Sequence, residues 1–235
     1  MAHGDPAVRR HLLVGSVAVV SMIAVFLVLQ VSNELWAEGE NWRKADGLLW
    51  RYNVATGVVS LGLLATTLSV GALRVLAGGR PAVHLPNRRV LGIWAAIATL
   101  AHVPGGLAIH SDGWAFWRPF ARILPTDGDL IDPYSVAYWA GLVGLACITV
   151  LAWTSRDRSM RSMGADRWKR LHRLAYVAAA AVFLHVVAMQ VAERRALGHA
   201  TLTGVALLAL IGLPAAAYAS YRARSARSAP GEADS

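Results

Sequence analysis

Residues 88–110 read RRVLGIWAAIATLAHVPGGLAIH, and residues 167–190 read RWKRLHRLAYVAAAAVFLHVVAMQ. Each opens on a cluster of Arg and Lys and continues as an apolar run of about 20 residues, enough to cross about 30 Å of hydrocarbon. Neither run alternates with period two, as a strand of a membrane barrel would. Lipid offers no hydrogen bonds, so a spanning backbone must satisfy its own, and the α-helix does that. Each run also holds a histidine well inside it, His102 and His185. Ionisable side chains at such depth mark functional sites by default.

Four further stretches have the same character. The spans run roughly over 11–31, 54–77, 89–110, 135–154, 171–191 and 201–221. The fold class expected is all-α, an integral membrane bundle of six transmembrane helices. Composition agrees: 56% of the 235 residues are hydrophobic and 16% charged, against about 45–50% and about 25% in soluble domains. Disorder, collagen-like repeats and a disulfide scaffold are excluded. The one cysteine, Cys147, sits in an apolar run and reads as a small core residue. No internal repeat is evident.

The net charge of +9 is a topology signal rather than a nucleic-acid footprint, because the cations lie in short loops. One compartment receives 16 of the 23 Lys and Arg residues and the other 7, which places both termini in the cytoplasm of a multi-pass inner (plasma) membrane protein. Trp36, Trp42, Trp50, Trp114, Trp117 and Trp139 fall near the outer interface and Trp153 and Trp168 near the inner one, as aromatic belts do. The first span is too long for a signal-peptide core of about 7–15 residues and reads as an uncleaved helix. Residues 1–10 are expected as a cytoplasmic tail, 11–221 as the membrane domain and 222–235 as a disordered cytoplasmic tail. The outer loop 111–134, with Trp114, Trp117, Arg118 and Arg122, could fold over the outer mouth or meet a partner.

A rise of about 1.5 Å per residue puts His102 about 20 Å beyond Arg89, and His185 about 22 Å beyond Arg170. Both spans start on the inner side, so the two imidazoles reach one level in the outer half of the membrane. That is the geometry for two axial ligands of one haem iron. Gly105, Gly106 and the small residues before His185 leave room for a flat ring, and Pro104 should bend the third span. Zinc fits less well, since a closed site needs four ligands. His172 lies near the inner face and, on a continuous helix, points about 140° away from His185. The matching depth on the third span carries Arg88 and Arg89. His110 ends that span and could meet a haem propionate or an acceptor. His3, His11, His84 and His199 read as solvated or interfacial.

These two segments, with 135–173 between them, resemble the ferric reductase-like transmembrane domain over about residues 50–195. That family includes NADPH oxidases, ferric reductases and the bacterial MsrQ-like haem subunit serving periplasmic methionine sulfoxide reductase. The resemblance implies a b-type haem protein that moves electrons, with His102 and His185 as iron ligands and His172 as an additional one. Oxidases of the family carry two widely spaced histidines on span three, whereas His110 follows His102 by only eight residues. One haem b is expected, two if His172 finds a partner, with FMN or a quinone as further cofactors. The tail after span six leaves no room for flavin and nicotinamide domains, so the donor is expected to be separate, a flavin reductase or quinol.

The resulting expectation is a haem-dependent oxidoreductase or its electron-transfer subunit. Electrons enter at a basic inner face, where Arg88, Arg89, Lys169, Arg170 and Arg173 hold flavin phosphate or propionates, and leave to an outer-side redox partner. The contrasting expectation is a non-haem subunit or small transporter whose histidines relay protons or pack. Transporter spans are commonly broken in paired halves, and here only Pro104 and Pro214 interrupt spans.

Overall fold

The structure is a computed structural model that describes residues 5–31, 47–78, 86–110, 132–193 and 197–227, with the backbone alone at 29–31, 86, 110, 197–199 and 202. His3, His84, Trp36, Trp42, Trp114, Trp117, the outer loop 111–131 and the tail 228–235 lie outside these residues, as do the side chains of His110 and His199.

The described chain is helical: α1 Pro6–Val31, α2 Leu48–Leu76, α3 Pro86–His110, α4 Pro133–Thr154, the short α5 Asp157–Met163 and α6 Ala165–Leu171, α7 Leu174–Glu193, α8 Leu197–Leu207, and α9 Leu213–Arg227 after a π-helical segment, Leu208–Gly212. Six stretches are long and apolar enough to cross a membrane, which makes this a multi-pass membrane bundle. The spans lie where the hydropathy pattern puts them.

Side-chain hydroxyls inside the spans are satisfied locally. Thr56, Thr66, Thr67, Thr99 and Thr154 each donate to the carbonyl four residues earlier, so none needs water. Asp132 caps α4 by accepting from the Tyr134 and Ser135 amides, with Pro133 at the first helical position. The core joins Leu61, Leu64, Ala65 and Leu68 of α2 to Ala95 and Ala96 of α3, Ile148 of α4, Ala178 and Ala179 of α7, and Leu210. Alanines on facing helices let backbones approach closely, as membrane packing requires. Helix α2 is the most buried span and α1 the least. Polar bonds tie α2 to α3: the Ser60 and Thr99 hydroxyls meet at 2.6 Å, and the Tyr52 hydroxyl donates to the Ala101 carbonyl at 2.9 Å.

Three expectations need correction. Helix α1 starts at Pro6, inside the supposed tail, because Pro suits a first turn and the Ala7 amide finds the Asp5 carboxylate. Residues 222–227, expected as disordered, continue α9. Arg224 there donates to the Val75 carbonyl at the end of α2, a second bond to an oxygen that also accepts from the Gly78 amide. The two prolines also act differently. Helix α3 is continuous through Pro104. Near Pro214 the Leu213 amide reaches back five residues to the Leu208 carbonyl. Pro214 has no N–H for the next carbonyl, that of Ala209, and the Ser69 hydroxyl of α2 donates to it instead, at 3.2 Å.

Helix α1 docks through Gly15, where an added Cβ would overlap the Trp94 indole of α3. Gly15→Ala is therefore expected to destabilise the bundle by about 1–3 kcal/mol, as overpacking does. Thermal melting in detergent checks this as a fall of about 2–10 °C. Gly62→Ala, where nothing lies within 4 Å, should melt like the parent.

Candidate functional site

Helices α2 and α3 form one antiparallel hairpin and α4 and α7 another. Each contributes one histidine to the space between them. In the first, His102 Nδ1 lies 2.9 Å from the Asn53 carbonyl oxygen. In the second, His185 Nδ1 lies 2.7 Å from the Ala137 carbonyl oxygen. A carbonyl can only accept, so Nδ1 carries the proton in both rings and Nε2 carries the lone pair. That is the tautomer of a histidine ready to bind a metal through Nε2, with its other nitrogen held by an outer partner.

The two ring centres are 6.3 Å apart and the planes stand 84° to one another. A metal–imidazole bond of about 2.0–2.1 Å on each side, with about 1.1 Å from nitrogen to ring centre, calls for a separation of about 6.2–6.4 Å. The spacing fits one metal ion held between the rings. Both histidines line an apolar cavity of about 180 Å³ whose walls include Val54, Val58, Leu61, Val103, Leu107, Leu142, Leu145 and Val186. Its polar lining is neutral apart from the histidines: Asn53, Ser60, Thr99, Tyr138 and Thr203. Among the described residues no group of three or more His, Cys, Asp or Glu side chains gathers as a metal cage. The donor set is thus two imidazoles and nothing anionic, which suits an iron whose other four ligands come from a porphyrin.

Two glycines missing from the sequence reading border this site. A Cβ on Gly57 would sit 3.0 Å from His102 Cε1, and one on Gly141 would sit 2.9 Å from His185 Nδ1. Of the two glycines expected to make room for a ring, Gly106 lines the cavity and Gly105 does not; a Cβ on either would meet the Asn53 side chain, at 3.4 and 3.2 Å from its Oδ1 respectively.

A second cavity, about 750 Å³, lies toward the other end of the bundle. Arg88, Arg89, Lys169, His172 and Arg173 line it, together with Arg10 and His11 of α1. Arg170 is not among its lining residues. Arg89 is ion-paired with Asp157, also in the wall, and Lys169 lies 3.6 Å from Asp166. His11, read from sequence as merely interfacial, belongs to this wall.

His172 is not part of a continuous helix with His185. The chain turns at His172–Arg173, where Ala175 and Tyr176 donate to carbonyls only three residues back, a tightened geometry. A projection at a fixed angle per residue therefore fails across it. The ring stacks on Trp168 at 3.8 Å, and its Nε2 lies 3.4 Å from the Thr154 hydroxyl. Trp168 in turn donates to the Thr154 carbonyl at 3.1 Å.

Residues 54–183 match the family model described as ferric reductase like transmembrane component. The match lies within the stretch singled out from sequence and takes in His102 and His172, stopping just short of His185. Relatives are partial. The heme-binding subunit MsrQ of protein-methionine-sulfoxide reductase is 30% identical over 130 residues in Deinococcus radiodurans, 55% of this chain and 58% of that protein. In Rhizobium meliloti it is 32% identical over 136 residues, 55% of this chain and 53% of that protein. The magnetosome protein MamZ of Paramagnetospirillum magneticum is 32% identical over 102 residues, 43% of this chain and 14% of that protein. The chain thus spans from about a seventh to somewhat over half of the length of these relatives.

Proposed function

This chain belongs to the ferric reductase-like transmembrane component family, and on that premise we propose that it is a b-type haem membrane cytochrome, an electron-transfer subunit carrying electrons from a cytoplasmic-side or quinol donor to an outer-side acceptor. The observation that carries the reading is the imidazole pair, 6.3 Å between centres with both Nδ1 atoms bonded to carbonyls. The two MsrQ relatives, each a heme-binding subunit, support it. His102 and His185 are the iron ligands. The bound haem supplies one-electron redox chemistry.

The chain's own residues do the rest. The Asn53 and Ala137 carbonyls keep the lone pair of each imidazole on Nε2. The apolar wall keeps water from the metal and lowers the local dielectric, which makes nearby dipoles count for more. The cations of the second cavity, with Arg88, Lys169 and Arg173 foremost, attract an anionic group such as a flavin phosphate or a haem propionate. The imidazoles brought to metal-bridging distance are those of His102 and His185; His11 and His172 share the wall of the second cavity, where Arg88 occupies the α3 level opposite His172. The proposed stoichiometry is therefore one haem. The Lys and Arg asymmetry supports cytoplasmic termini in an inner membrane, with the second cavity facing the cytoplasm.

A pyridine haemochrome assay with protein quantification tests this directly. One haem b per chain is expected. A colourless protein from haem-replete cells that takes up no haem on reconstitution rejects the proposal.

A further inference from the structure

The two halves of the site are built alike although their sequences do not repeat. In each hairpin a histidine bonds a carbonyl on the partner helix, 49 residues away in one case and 48 in the other. In each, the residue four positions after that carbonyl is a glycine, Gly57 after Asn53 and Gly141 after Ala137. Four positions along a helix is one turn on the same face, so the carbonyl and the glycine lie side by side beneath the ring. We infer that Gly57 and Gly141 are positioning residues: with the carbonyl one turn before it, each forms a seat that fixes the plane of one imidazole, and the two seats hold those planes near perpendicular. This rests on the haem reading above.

The hydrogen bond alone does not fix the plane. It sets where Nδ1 points, while rotation about the last side-chain torsion of histidine is soft. The second constraint is the bare helix surface at the glycine. A methyl group at either position would lie 3.0 Å or less from a ring atom, so the ring would have to tilt or withdraw. Among the described glycines only these two would meet a histidine ring; Gly62, on the same helix as Gly57, has nothing within 4 Å.

One seat also has an adjustable strength. The Asn53 carbonyl accepts from the Thr56 hydroxyl at 3.0 Å as well as from His102. Thr56 has an alternative acceptor, the Tyr52 carbonyl at 2.8 Å. Removing its hydroxyl leaves the Asn53 oxygen more strongly engaged with His102, makes that imidazole a better electron donor, and favours ferric over ferrous iron.

The test is ferric EPR and redox titration of full-length purified protein, using the parent, Gly57→Ala, Gly141→Ala, Thr56→Val and the control Gly62→Ala. Perpendicular axial imidazoles give a strongly anisotropic low-spin signal, and its largest g value falls as the planes turn toward parallel. The parent should show that signal. The two seat variants should shift it toward lower anisotropy and move the midpoint potential, while Gly62→Ala should superimpose on the parent. Thr56→Val should keep the signal and lower the midpoint. A low-spin parent with an ordinary rhombic signal overturns the inference, as do seat variants that match the parent in both measurements. If neither alanine variant is recovered with haem, Thr56→Val decides, and an unchanged midpoint overturns it. A parent without haem would instead sink the haem reading, so the two failures are distinct.

Discussion

His102→Ala and His185→Ala are each expected to lose the bound haem, with the ratio of Soret absorbance to protein falling at least tenfold. The reasoning is comparative. Removing an outer partner that merely orients a metal-bound histidine typically costs about 10–100-fold in affinity. Removing the ligand itself forfeits the metal bond and the oriented ring together. Besides hydroxyls and an amide, the lining holds the Met189 thioether and the Tyr138 phenol, types that do ligate haem iron, so any haem that either variant retains should show a displaced Soret band. The alanine variants should still fold, since the apolar core of α2, α3, α4 and α7 includes neither histidine and is left untouched. Far-ultraviolet circular dichroism confirms the helices while haem content is read. His172→Ala, at the other cavity, should retain the parental haem ratio. An unchanged ratio in either ligand variant refutes the assignment.

How much of this could be read from sequence differs sharply between residues. The level of His102 and His185 follows from a count of residues and a fixed rise, both insensitive to packing, and the structure does bring those two rings together. The six spans follow from the solvent, since hydrocarbon admits long apolar helices and little else. The carbonyl acceptors were not legible. Any residue type can offer a carbonyl, and which one a histidine meets depends on how two helices are registered. Nothing in NVATG at 53–57 or AYWAG at 137–141 announces a seat; each is visible only from its partner. The separation of His172 from His185 was legible, since the two line different cavities, but not the angle between them, because the turn at 172–173 breaks the helical projection. The helix at 222–227 was not legible either, because its polarity resembles that of a disordered tail, whereas Arg224 there bonds the Val75 carbonyl of α2.

Reversing the charge at Arg88 tests the electron-entry half of the proposal, and Arg88→Glu is expected to slow reduction by reduced FMN about tenfold or more while leaving haem content unchanged. Arg88 faces the larger cavity at the level of His172, with its guanidinium 3.5 Å from where a Gly71 Cβ would stand. Among the nearby cations Arg89 is already paired with Asp157, so Arg88 carries more of the attraction for an incoming anion. Even in water, one unit charge about 4 Å from another is worth about 1 kcal/mol, and at an effective dielectric of about 20 it is worth about 4. Reversal exchanges attraction for repulsion, which doubles the smaller figure to about 2 kcal/mol, a factor of about 30. Stopped-flow reduction under anaerobic conditions reads it. Arg88→Gln should fall between parent and Arg88→Glu, and the parent rate should drop with added salt as the variant rate does not. A neutral quinol, lacking the phosphate, should reduce parent and variant at equal rates. If reduced FMN also treats the two proteins alike at low salt, the basic cavity is not where electrons enter, and the donor must approach the histidine pair from another side of the bundle.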